Sequence, residues 1–250
     1  MYMSKINNIY IKKAKKKRFI RKFITSILVL IIVGGIFIFK TDVFTINSVE
    51  CLGDNILTKD YVIEKTDSLK GENIFTLSKS DVEKMLNENP YVKSISIKKE
   101  FPKSLVIEVT EASGLYYINE NGNYGIVSKE LVLLERVPSV EGKGLIEIRG
   151  IDISGKNLGE KIDENTRINK LLEEIYNEEE IIRKNEEDFS IIALDIKELS
   201  QIKAYLNNIE VILGSDENIR TKMSNAIKVY KSGLVTEYIN VSFDGSPQYK

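Results

Sequence analysis

Residues 89–111 read NPYVKSISIKKEFPKSLVIEVTE, two runs of alternating polarity joined by a turn. Ile95 and Ile97 alternate with Ser94, Ser96 and Lys98; Leu105, Ile107 and Val109 alternate with Glu108 and Thr110. A period of two puts one set of side chains on each face, so each run predicts a half-buried strand. Phe101-Pro102-Lys103-Ser104 supplies the turn between them, and Pro90 blocks helix just upstream. Two strands alone cannot shield one apolar face, so the partners of that face must lie outward along the chain.

Upstream, Val82, Met85 and Leu86 have i, i+3, i+4 spacing behind the start signals Ser78/Asp81 and Ser80/Glu83. A second short helix fits Thr58 to about Ser68, with Thr58 as cap and Gly71 at the exit. Thr45–Leu52 has strand composition and ends at the Gly53-Asp54-Asn55 turn. The order over 43–111 is therefore strand, helix, helix, strand, strand, which predicts a small sheet carrying both helices.

Still further upstream lies FITSILVLIIVGGIFIF, residues 23–39, without a charge. As a helix it is about 26 Å long, at the short end of a bilayer span. Lys5, Lys12, Lys13, Lys15, Lys16, Lys17, Arg18, Arg21 and Lys22 precede it, and the first acidic residue is Asp42. This bias predicts a cytoplasmic basic tail (1–22), one membrane-spanning helix (23–39) and the remainder outside. The long basic segment and the absence of an A-x-A-like site after Phe39 argue against a cleaved signal peptide. The tail is placed to meet anionic lipid of the inner leaflet.

Downstream, residues 113–244 are richer in strands. Leu115–Ile118 and Tyr124–Val127 flank Asn121-Gly122, a hairpin signal. Strands are also expected at Leu131–Leu134, Leu145–Arg149, Ile192–Ile196, Gln201–Leu206, Ile209–Leu213 and Ile239–Phe243. Amphipathic helices are expected over Glu164–Arg183 and from Ser215 or Asp216 to Gly233. The clusters Glu178-Glu179-Glu180 and Glu186-Glu187-Asp188 read as solvated surface, and 245–250 as a loose tail. The fold class is α+β: a span, a β-α-α-β-β domain, and a mixed, mostly antiparallel β-domain with two helices.

Composition limits the chemistry. Of 36 basic and 37 acidic residues, nine basic ones sit in the tail; the other 27 leave the remainder about ten charges negative. An acidic surface disfavours nucleic acid. There is no His, no Trp and one cysteine, Cys51, so neither an internal disulfide nor structural zinc is expected. No cofactor and no small-molecule substrate are expected. Ser200-x-x-Lys203 and Ser96-x-x-Lys99 fit the S-x-x-K of penicillin-binding enzymes, and Lys231-Ser232-Gly233 is similar to their K-T-G. No Ser-x-Asn accompanies them and both serines fall at expected strands, so no catalysis is expected. Asn119–Asn123 lacks the carboxylate spacing of a calcium loop and reads as a turn.

FTINSVECLGDN (44–55), LKGENIFTLS (69–78) and the 89–111 stretch resemble the membrane-proximal POTRA domain of the FtsQ/DivIB cell-division proteins. The shared pattern falls on Gly71 and Asn73, Pro90 and Val92, and Lys99 with Pro102. NENGNYGIVSKELVLLE (119–135), LNNIEVILGSDENIRTKMSNAIKVY (206–230) and INVSFDGSPQYK (239–250) are similar to the family's β-domain. Asp54 interrupts the usual Gly-Asn, and Ser113-Gly114-Leu115 replaces the usual Pro-x-Ala; both are loop changes. The resemblance implies a divisome scaffold that binds FtsL-like and DivIC/FtsB-like bitopic partners outside the membrane and is concentrated at the septum. β-Augmentation on the terminal strand is the expected mode, with Tyr238, Asn240, Ser242 and Tyr249 as contact residues. The competing expectation is an envelope secretion or sporulation protein that borrows the POTRA module.

Overall fold

The computed structural model describes residues 2–53 and 57–250, with side chains from residue 15 onward. Asp54 and Asn55 of the expected turn, and the side chains of Lys5, Lys12 and Lys13, lie outside the described residues. Among those described are five α-helices and twelve strands. The chain divides into two compact units. The first runs to Gly53 and adds Lys59–Met85 and Ile95–Val109; the second holds Leu57, Thr58, Leu86–Ser94 and Thr110–Lys250.

The first unit begins with one helix, α1 (Tyr2–Lys40), so the basic tail and the apolar run are continuous. Its segment Lys15–Lys40 is 26 residues long, enough to cross a bilayer. None of its most apolar window is buried against the protein. Thr25 Oγ1 donates to the carbonyls of Arg21 and Lys22 at 3.0 and 2.8 Å, which satisfies a polar group inside the span. A single 3₁₀ turn at Asp42–Phe44 leads to β1 (Ser48–Leu52). Two short helices, α2 (Lys59–Asp67) and α3 (Lys79–Leu86), precede β2 (Val92–Glu100) and β3 (Ser104–Glu111).

The sheet order is β1-β3-β2, with β1 parallel to β3 from Ser48↔Ser104 to Leu52↔Glu108. Leu105, Ile107 and Val109 are buried as their alternation requires, with Ile46, Val62 and Ile74 fully buried beside them in this unit. Thr58 stands immediately ahead of α2, at the place expected of its cap. Its N–H and Oγ1 both donate to Glu111 Oε1, at 2.6 and 2.9 Å.

The second unit is built on a nine-stranded sheet. Its strands are β4 (Gly114–Glu120), β5 (Asn123–Ser128), β6 (Leu133–Val137), β7 (Ile146–Arg149) and β8 (Ile191–Asp195). They continue as β9 (Ile202–Leu206), β10 (Ile209–Gly214), β11 (Tyr238–Asn240) and β12 (Gln248–Tyr249). In space they run β12-β11-β10-β9-β8-β7-β4-β5-β6. The pairs β4/β7, β7/β8 and β10/β11 are parallel, and the other five are antiparallel. At the β4–β5 turn, Asn121 and Gly122 take φ of 54° and 94°, the left-handed pair that a two-residue hairpin needs.

Helices α4 (Thr166–Lys184) and α5 (Ile219–Tyr230) pack on this sheet. Asn165 caps α4 by accepting from Arg167 N–H at 3.0 Å. The buried Leu171, Leu172, Ile175 and Ile182 each contribute about 2 kcal/mol by leaving water. The expected caps of α5 are replaced. Its N-cap is Asn218 at φ 56°, with no side-chain capping bond. Asp216 instead takes a two-pronged ion pair from Arg167 at 2.6 and 2.8 Å.

Two of the three glutamates expected on the surface are buried: Glu178 is 6% exposed and Glu179 2%. Helical spacing explains it, because 175, 178, 179 and 182 fall on one stripe. Glu179 accepts from Ile191 N–H and from Arg183 Nε, both at 2.8 Å, and so ties α4 to the start of β8. Burial pushes the Glu178 carboxyl above the usual range, against the pull of Arg220 at 3.7 Å. Glu180 keeps the expected place at the surface, where it accepts from Tyr176.

Candidate functional site: a free sheet edge

A sheet edge is a row of unpaired backbone donors and acceptors unless something covers it. The nine-stranded sheet ends in β6 and β12. The outer side of β6 is covered at its first residue, Leu133, by the loop that follows Asn157. Leu133 N–H donates to Glu160 O, Gly159 N–H to Leu133 O and Ile162 N–H to Leu131 O, at 2.8–3.0 Å. At the other end, β11 lies parallel to β10 in the register Glu210↔Tyr238, Val211↔Ile239, Ile212↔Asn240. It does not form the edge. The chain turns at Asp244–Ser246 and returns antiparallel as β12, with Ile239↔Tyr249 and Asn240↔Gln248 in register.

The tail expected to be loose is therefore a strand. Lys250 N–H donates to Tyr238 O at 3.1 Å, and Thr236 and Glu237 N–H donate to Lys250 O at 2.9 and 2.7 Å. Lys250 Nζ also pairs with Glu237 at 3.0 Å. A sequence of six residues with Gly, Pro and no apolar alternation gives no strand signal; backbone bonds alone hold it.

Those bonds fix which groups are free. Successive residues of an antiparallel strand point their N–H and C=O alternately toward and away from the partner. Lys250 and Gln248 face β11, so the N–H and C=O of Tyr249 face outward. Tyr249 is itself 46% exposed.

The four residues expected to make contact are brought to this corner but not to one face. Tyr238 and Asn240 flank the buried Ile239 and lie on the half-exposed face shared with Glu210 and Ile212. Tyr249 is in register with Ile239 and projects to the opposite face. Ser242 lies past the strand, where its N–H and Oγ donate to Asn240 Oδ1 at 3.0 and 2.7 Å. That local turn occupies the side-chain amide oxygen of Asn240. Ile239 and Val241 are buried, but Phe243, expected to hold the strand on the core, is 40% exposed, because the strand ends at Asn240.

The face of Tyr238 extends across the sheet as a polar and aromatic surface. Lys203 meets Glu210 at 3.1 Å, and Arg149 stacks on the Tyr205 ring at 4.9 Å. Tyr117 and Tyr124 meet edge to face at 5.7 Å. Sequence reading missed this surface. Its signal was the polar half of the alternation in β9 and β10, Lys203, Tyr205 and Glu210.

The residues weighed for catalysis are scattered. Ser96 is exposed on β2, Ser200 is in an exposed turn ahead of β9 rather than on a strand, and Lys231-Ser232-Gly233 ends α5. Lys231 is paired with Glu187 at 2.6 Å.

Known proteins are similar to this chain in sequence. The model of the FtsQ-type POTRA domain matches residues 44–112, and that of the C-terminal region of cell-division protein FtsQ/DivIB matches 115–242. The DivIB of Clostridium acetobutylicum is 29% identical over 213 residues, 84% of each chain. That of Clostridium botulinum strain Hall is 28% identical over 245 residues, 96% of this chain and 94% of its own. A more distant FtsQ, from Corynebacterium glutamicum, is 23% identical over 137 residues, 54% of this chain and 60% of its own. The match to the second domain alone covers over half of the chain, and the chain belongs to the FtsQ/DivIB family of bacterial cell-division proteins.

Proposed function

We propose that this chain is a non-enzymatic scaffold of the divisome that captures partner proteins by adding a strand to β12. The family supports a division role. The observation that carries the mode of capture is the end of the large sheet at β12, which presents the N–H and C=O of Tyr249 outward, whereas β6 begins under the 159–162 loop at Leu133. Main-chain bonds to Tyr249 supply register. Tyr238 and Asn240 on one face, Tyr249 on the other and Ser242 at the bend are the contacts that give selectivity.

In this reading 1–22 is cytoplasmic and rests on anionic inner-leaflet lipid, and 23–39 crosses the membrane. Residues 43–111 form the membrane-proximal POTRA domain, and 113–244, with the returning strand β12, carry the binding edge outside. The partners are the FtsL-like and DivIC/FtsB-like bitopic proteins, and the protein gathers at the septum to regulate wall synthesis.

Co-purification of the full-length chain with each partner, with and without residues 245–250, tests this. Loss of both partners by a truncated chain that still folds is the expected result. Undiminished capture would place the site elsewhere. A fluorescent fusion forming mid-cell rings fits the division role, and uniform membrane or forespore signal contradicts it.

A further inference from the structure

Where α1 ends, the rest of the first unit begins without a tether, and the joint is built from rings. Phe37, inside the membrane-spanning segment, meets Phe44 edge to face at 6.4 Å. Phe44 meets Phe75 at 5.0 Å, and Phe75 meets Phe101 at 4.9 Å. Phe75 is nonetheless 43% exposed and Phe101 56%, with Val43 at 41% beside them. An apolar row of this kind running off a bilayer span is not an ordinary surface.

Backbone bonds hold both loops to the segment leaving the membrane. Ile46 N–H donates to Glu72 O, Ile74 N–H to Phe44 O and Asn47 N–H to Lys103 O, at 2.8–2.9 Å. Asn73 is the pin. Its Nδ2 donates to Ile38 O at the end of α1 at 2.7 Å, and its Oδ1 accepts from Phe75 N–H at 2.9 Å. One amide side chain thus fixes the Phe75 turn against the last turn of the span. Of the acids at this end, Glu100 is paired with Lys98 at 2.9 Å and Asp42 and Glu72 are exposed, beside the cations Lys40 and Lys103.

We propose that Phe75 and Phe101 are a membrane-resting tip, inserted in the interfacial layer of the leaflet from which α1 emerges. The tip fixes the first unit on the lipid surface, so its orientation is set by three points, α1, Phe75 and Phe101, and not by α1 alone. Lipid is the occupant because the row is continuous with the span and shares its apolar character.

The chain contains no Trp, so a single introduced Trp reports without background. Full-length Phe75→Trp, Phe101→Trp, Leu30→Trp and Leu234→Trp proteins are reconstituted in phosphatidylcholine–phosphatidylglycerol vesicles with lipids brominated at shallow or deep positions. Trp at 75 and 101 should emit to the blue and lose about half or more of its intensity to shallow bromine. Trp at 30 should respond to deep bromine, and Trp at the exposed position 234 to neither. Phe101→Asp in the Phe75→Trp protein should weaken quenching at unchanged circular dichroism. Water-like emission at 101 overturns the proposal, as does blue emission that lipid bromine leaves untouched, which would seat the rings on a protein. An unquenched Trp at 30 overturns the span on which the tip depends, a failure separate from the first two.

Discussion

Replacing Tyr249 by proline separates binding from folding at the proposed edge. Lys250 N–H and C=O, which face β11, are untouched, and the Ile239↔Tyr249 pair exchanges no backbone hydrogen bond, because the residues flanking Tyr249 face inward. Proline suits an edge position whose N–H points to solvent. Stability should therefore change by no more than about 0.5 kcal/mol. A partner strand would lose the outward N–H and meet the pyrrolidine ring. One lost backbone bond, with the partner's carbonyl left dry, costs about 1–3 kcal/mol. This weakens the dissociation constant by about tenfold to a hundredfold. The assay is biolayer interferometry of the full-length chain in nanodiscs against each partner's external segment, with Tyr249→Ala as companion. The alanine variant keeps the N–H and loses only the ring, so it should lie between wild type and proline. Equal binding by wild type and Tyr249→Pro, with equal thermal midpoints, would refute strand addition at β12. Tighter binding after removal of 245–250 would also refute it, by showing that β12 is a placeholder that the partner displaces from β11.

Two further outcomes concern stability. Glu179→Ala leaves the buried Ile191 N–H without its acceptor and should cost about 2 kcal/mol by urea denaturation, whereas Glu179→Gln, which keeps an oxygen in place, should cost less. Arg167 beside Asp216 holds that carboxyl below the usual range, so the pair stabilises the fold above the unfolded carboxylate's pKa and ceases to as pH falls through the folded value. Asp216→Asn should accordingly melt lower than wild type at pH 7, with the gap narrowing as pH falls below the unfolded carboxylate's range, as followed by differential scanning calorimetry.

Much of the architecture was legible because it rests on local periodicity. The alternation in 95–109, the i, i+3, i+4 spacing of α4 and the Asn121-Gly122 turn each state their element without reference to the rest of the chain. Glu178 and Glu179 were misread because a run of three acids looks like surface. Their phase relative to Ile175 and Ile182 was the signal that outweighed composition. The site was legible to within a corner of the sheet and no further. Tyr238 and Tyr249 are both there, but on opposite faces, since strand pairing and not sequence spacing decides where a returning residue points.

The sequence by itself determined the parts list: an uninterrupted apolar run behind nine basic residues, then strands and helices in the order of an α+β fold. These follow from hydrophobic patterning, which each segment carries alone. Only the tertiary structure decided that β1 lies beside β3, that one sheet edge begins under the 159–162 loop at Leu133, and that the last residues return to become the other edge. It also decided that Asn73 reaches the end of α1 and that four phenylalanines distant in sequence form one row. Backbone hydrogen bonds between remote segments and ring contacts across loops settle such matters, and neither leaves a period in the sequence.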